Sequence, residues 1–122
     1  MTRKELAVSF LQNAASGRVR EAYESRVTPT FRHHNPHFAG DAESLMRAME
    51  ENAKQNPQKS LKIVHAIEEG ELVAIHGHVK KNPGDRGIAL VHVFRFEGDR
   101  IAELWDLGQP VPESSPNENG MF

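Results

Sequence analysis

The stretch Ile88 to Gln109, IALVHVFRFEGDRIAELWDLGQ, carries a histidine, His92, and an aspartate beside the only tryptophan, Trp105-Asp106, within a run dominated by aliphatic and aromatic residues. Ionisable groups on a strand that must be buried are costly unless they are paired or used. The chemistry open to such a pair is proton transfer. A carboxylate in a mostly apolar, partly desolvated cavity has its pKa pushed upward and becomes a better base at neutral pH, and a neighbouring imidazole can orient it, share its proton or polarise a substrate oxygen. Asp106 and His92 are of the right types. The competing reading is structural, with Asp106 bonded to a turn or paired with an arginine such as Arg32 or Arg95.

Seven histidines are many for 122 residues, and they fall in groups. His33, His34 and His37 surround Asn35-Pro36, while His76 and His78 stand two apart on one strand and share a face. A strand-borne His-x-His with His92 as a third imidazole has the elements of a metal site. No carboxylate accompanies it at a suitable offset, so no metal is assigned. Nucleophilic catalysis has no GxSxG turn, and nucleotide binding has neither GxGxxG nor a Walker-type run. The absence of cysteine removes thiolate nucleophiles, disulfides and sulfur-based zinc sites. No cofactor is expected.

The elements that must position these groups follow from the periodicity. Thr2 and Glu5 form a capping-box pattern ahead of Leu6, Phe10, Leu11 and Ala14 at helical spacing, closed by Gly17. A second helix is predicted from about Arg18 to Arg26, ended by Thr28-Pro29, with Tyr23 as an inward aromatic whose hydroxyl reaches a rim. Phe31 to Asn35 is a short extended segment between Pro29 and Pro36. Gly40-Asp41 caps a third helix that buries Ala42, Leu45, Met46, Met49 and Ala53. From Ser60 the period becomes two. Leu61, Ile63 and His65 alternate; turns follow at Glu69-Gly70, at Asn82 to Gly87 and at Gly98-Asp99. Helices followed by an antiparallel meander imply an α+β fold in one domain, 1–122, with residues 110–122 as an extended, proline-containing tail.

Hairpin parity decides whether the acid/base pair exists. With a plain two-residue turn at Gly98-Asp99, Glu97 faces Arg100, His92 faces Trp105, and Asp106 falls on the other side of the sheet. A longer loop or a bulge in either strand returns His92 and Asp106 to one face. Both registers are open at this level.

Composition narrows the partners. Apolar content of 38% and charged content of 26% are those of a globular protein, and a formal charge of −2 without like-charge runs gives no electrostatic footprint for nucleic acid or an anionic membrane. No stretch approaches the roughly 20 apolar residues of a membrane span, and MTRKELAVSFLQ has no apolar leader core, so the cytoplasm is expected.

The segment Phe31-Arg32-His33-His34-Asn35-Pro36, the run Phe94 to Ile101 leading to Trp105-Asp106, Gln109-Pro110-Val111-Pro112 and the terminal Met121-Phe122 together resemble the SnoaL-like, polyketide cyclase-like branch of the nuclear transport factor 2 superfamily. The resemblance implies a cone-shaped fold in which three helices pack on a strongly curved antiparallel sheet around an apolar pocket, often in a homodimer. It implies cofactor-independent acid/base catalysis on a hydrophobic carbonyl substrate, as aldol-type cyclisation or isomerisation. A non-catalytic small-molecule binder and a water-activating hydrolase of the limonene epoxide hydrolase type are the alternatives. Matched residue by residue, the catalytic set falls on Asp106, His92 and His34, with His76, Trp105, Phe94, Leu104, Tyr23 and Phe122 lining the pocket. The chain departs from the branch at His92, where many members carry an aspartate, and at Leu104, where many carry a histidine.

Overall fold

The computed structural model describes residues 1–122. Three helices, α1 (Arg3–Ala15), α2 (Val19–Arg26) and α3 (Ala42–Gln55), lie against one five-stranded sheet built from β1 (Val27–His33), β2 (Ser60–Glu69), β3 (Leu72–Lys80), β4 (Ile88–Glu97) and β5 (Arg100–Pro110). The helix starts follow local chemistry. In α1 the Thr2 hydroxyl accepts from the Glu5 amide at 3.1 Å while the Glu5 carboxylate accepts from the Thr2 amide at 3.0 Å. In α3 the Asp41 carboxylate accepts from the Ser44 amide at 2.9 Å.

The strand order is β1-β5-β4-β3-β2. The last four strands form the expected antiparallel meander, and β1 joins the free side of β5 in parallel. The strand reaches back through Pro29 to Val27, further than the extended segment read from the sequence. Its edge position explains this, because an edge strand has one side on which the missing proline N–H interrupts no ladder.

Two bulges set which residues face inward. In β2 the register slips between Ile63 and His65, so Val64 is the extra residue and His65 pairs with His76. Simple alternation would have kept His65 on the face of Leu61 and Ile63; the bulge turns it outward and Ala66 inward against the core. In β5, Arg95 faces Glu103 while Phe96 faces Ile101, which makes Ala102 the extra residue.

The core lies between the concave face of the sheet and the helices. Phe94, Phe96, Ile75, Val73 and Ile101 are sealed from solvent, and Leu6, Phe10 and Leu11 of α1 close over them. Phe10 is the hinge of the aromatic packing, with its ring 5.1 Å from Tyr23 and edge-on to Phe94 at 6.0 Å. Residues 111–122 carry no helix or strand, and Val111 ties the start of the tail to Gly87 by a 3.0 Å backbone bond. No helix is long and apolar enough to cross a membrane.

Candidate active site

The turn at Gly98-Asp99 is the short one, with Glu97 facing Arg100, and the Ala102 bulge supplies the missing residue of parity. His92 therefore pairs with Asp106 directly across the central strands. Both side chains line a cavity of about 240 Å³ walled by Leu11 and Met49 from the helices and Leu61 and Leu90 from the sheet. His92 Nε2 stands 3.5 Å from Asp106 Oδ1, close enough for ion pairing and too long for a strong hydrogen bond. The two side chains are only 12% and 18% exposed.

Asp106 is held from its other oxygen. Asn35 Nδ2 donates to Oδ2 at 2.9 Å, and the orientation of that amide is set by its own Oδ1, which accepts from the His37 amide at 3.0 Å. The loop carrying Asn35 is pinned by buried His33, whose Nδ1 accepts from the Asn35 amide at 3.1 Å and whose Nε2 donates to the Ala39 carbonyl at 2.6 Å. That pattern selects the tautomer with its proton on Nε2. His33 thus works at one remove, fixing the loop that fixes the carboxylate.

Burial holds the His92 pKa below its ordinary 6.5, opposed by the charge of Asp106 and reinforced by that of Lys59. Lys59, in the turn between α3 and β2, also lines the cavity, and its amine donates to Asn52 Oδ1 at 2.7 Å. Burial lowers the Lys59 pKa as well, against a smaller opposing pull from Asp106. Tyr23 lies beneath, its hydroxyl pKa raised by burial and then by the negative charge of Asp106. The arrangement offers a fixed carboxylate, a neutral imidazole at its side and an ammonium sharing one apolar chamber.

The residues expected around this site divide. Asp106 and His92 come together; Phe94, Leu104 and Tyr23 are core residues packed under the chamber, not part of its wall. His34, Trp105, His76 and Phe122 lie on the opposite, outer side. Trp105 pairs with Val93, one residue out of phase with Asp106, and period two sends it outward. His34 stacks on it at 5.1 Å and shares Glu103 at 2.6 Å. His76 pairs with Val91 and stacks on His65 and on Phe122, and Phe122 lies 4.1 Å over His78. His76 and His78 consequently cannot converge with His92 on one ion. A larger hollow of about 640 Å³ is an open groove on this outer face, bordered by His76, Val91, Leu107 and Met121, and contains neither His92 nor Asp106.

Asn35 and Lys59 are the residues that sequence reasoning passed over. For Asn35 the signal was present in the His34-Asn35-Pro36 segment but was read on the histidine. Lys59 sits in a polar turn and gave no signal.

Glu103, beside the bulge, is the acid that arginines claim. It is only 4% exposed and is bridged by Arg32 at 3.0 Å, His34 at 2.6 Å and Arg95 at 3.1 Å. Hydrogen bonds from Arg32 first, then from His34 and Arg95, pull its pKa from 4.5 down to about 2. Because the folded pKa is the lower one, the contribution of its charge is full above the ordinary carboxylate range and is lost as pH falls towards about 2. In thermal melts the wild type should lead Glu103→Gln most widely above about pH 4.5 and lose that lead as the pH approaches 2. A margin independent of pH would remove the charge from the account.

The SnoaL-like domain profile matches residues 8–104 of the chain. The chain belongs to the SnoaL-like family. Among solved structures, this SnoaL-like chain is similar to a nuclear transport factor 2-like protein of unknown function from Cytophaga hutchinsonii, with 20% identity, 90% and 92% of the two chains covered and a TM-score of 0.72. A candidate isomerase of the SnoaL-like family from Agrobacterium tumefaciens superposes with a TM-score of 0.73 over 89% and 99% of the chains at 13% identity. A candidate polyketide cyclase from Sinorhizobium meliloti does so with a TM-score of 0.66 over 82% and 92% at 17% identity. Identities this low establish the fold alone. No curated protein matches the chain.

Proposed function

We propose that the protein is a cofactor-independent enzyme of the SnoaL-like kind that moves a proton on a small hydrophobic carbonyl compound, in an isomerisation or aldol-type closure. The observation that carries this is the placement of Asp106 and His92 on one wall of the 240 Å³ chamber, with Asn35 fixing the carboxylate. Asp106 is the base that takes an acidic C–H proton, and neutral His92 passes it on or donates to the developing oxygen charge. A bent carboxylate with one oxygen bound by Asn35 presents the other towards His92 and the chamber, which suits a base that must return its proton after a bond shift. The chamber accommodates a bicyclic aromatic molecule better than a long polyketide.

Proton exchange tests the reading without knowledge of the natural substrate. Incubated in deuterated buffer with indanone or tetralone, the protein should speed α-deuterium incorporation, followed by proton NMR, well above the buffer rate. Saturable binding of these ketones without any acceleration would sink the enzyme reading and leave a small-molecule binder.

The outer face supports self-association in the same reading. Leu107 is 63% exposed and Val91 37% exposed beside the groove, an apolar surface that a second copy would cover, giving the homodimer. The cytoplasm remains the compartment of this proposal.

A further inference from the structure

Lys59 is the cation in the chamber wall that the proton-transfer scheme does not use. It forms no salt bridge, and its one hydrogen bond is to the neutral amide oxygen of Asn52 at 2.7 Å. An ammonium has three donors, so two remain for whatever occupies the chamber. The other charged groups on the wall are accounted for. Asp85 accepts from the Lys81 and Gly87 amides at 2.9 and 3.1 Å, Lys81 is exposed, and Asp106 is tied to Asn35 with His92 alongside.

We propose that Lys59 is the anion-holding group of the cavity, and that the ligands it selects are small apolar molecules carrying one delocalised oxygen anion, an enolate or a phenolate. A half-buried cation left without a carboxylate is poorly compensated, and an oxygen anion entering beside apolar walls provides the missing partner through charge-assisted hydrogen bonds. Asn52 holds the amine in place, which lowers the ordering cost of binding. Burial lowers the Lys59 pKa, and the negative charge of Asp106 opposes that shift. The inference deepens the preceding proposal by naming the charge type of its intermediate: Asp106 removes the proton and Lys59 receives the negative charge that appears on oxygen.

Para-nitrophenol is the probe, since its phenolate is a stable mimic of an enolate, absorbs visibly and forms near neutral pH. Bound to the wild type, it should titrate about 1 unit lower than free, equivalent to about tenfold tighter binding of phenolate over phenol. Lys59→Met should abolish the preference, Lys59→Arg should restore most of it, and para-nitroanisole should bind all three alike, showing that the chamber is intact. Equal binding of phenol and phenolate by the wild type, or a preference surviving in Lys59→Met, would overturn the assignment. Wild-type α-proton exchange, measured beside the phenolate preference, separates the two proposals: an intact preference without exchange defeats the enzyme reading alone, and exchange without the preference defeats only the role of Lys59. Asp106→Asn, which removes a negative charge from the same chamber, should strengthen the preference, and a weakened one would count against the assignment.

Discussion

Asp106→Asn is expected to lower α-proton exchange by about 10²- to 10⁴-fold, the usual worth of a positioned general base. The substitution isolates chemistry from architecture. The amide has nearly the shape of the carboxylate and keeps an oxygen for the Asn35 donor that now reaches Oδ2 at 2.9 Å. It has no charge and no basic lone pair at neutral pH. The side chain is 18% exposed and lines the chamber, so the fold loses little. Melting temperature should change by no more than a few degrees while the NMR exchange rate falls to near the buffer level. Exchange retained within threefold of the wild type would show that another group is the base. The alternative structural role of Asp106, arginine pairing, has been taken by Glu103, which binds both Arg32 and Arg95. That leaves Asp106 with an amide and an imidazole as neighbours.

Phe94→Ala should be the most destabilising of the single changes, by about 3–5 kcal/mol. Phe94 has no exposed surface, meets Phe10 edge-on at 6.0 Å and lies 6.0 Å from the His92 ring in a nearly parallel stack. Truncation removes the transfer energy of the ring and leaves a void that the surrounding strands cannot close, since Leu104 across the ladder is itself buried. Against a typical total of about 5–15 kcal/mol such a loss is large. Urea denaturation should show a markedly lower midpoint at unchanged slope. Leu107→Ala, at a side chain 63% exposed on the outer face, is the control and should shift stability by about 0.5 kcal/mol or less. Similar midpoints for the two variants would contradict the placement of the core.

The helices and the meander were legible because their apolar periods are strong and their caps local. Thr2 with Glu5, Asp41 with Ser44, and the shift to period two at Ser60 each depend on neighbours within a few residues. The bulges were not legible, because an extra residue such as Val64 or Ala102 changes neither the composition nor the strand propensity of its run. The open question of hairpin parity is answered by Ala102, and the same two-fold period explains why Trp105 and Asp106, adjacent in sequence, serve opposite faces. His34 was assigned to the pocket through its motif; the backbone of that segment sends Asn35 inward instead and stacks His34 on Trp105. Lys59 was invisible for a different reason. A lysine in a polar turn looks solvated until the sheet curls round to half-bury it.

Ala102 also changes what a small edit of the gene would do. In an unbroken strand, chain position and facing are locked together, and the loss of one codon turns every residue beyond it to the other face. Here the extra residue is unpaired, so the loss of its codon would straighten β5 and leave Glu103 opposite Arg95 and Asp106 opposite His92. Leu104 and Asp106 would keep the inward phase, and Glu103 and Trp105 the outward one. The chamber would retain its carboxylate base although the chain had become one residue shorter. At this point of the scaffold the site is buffered against a change of length.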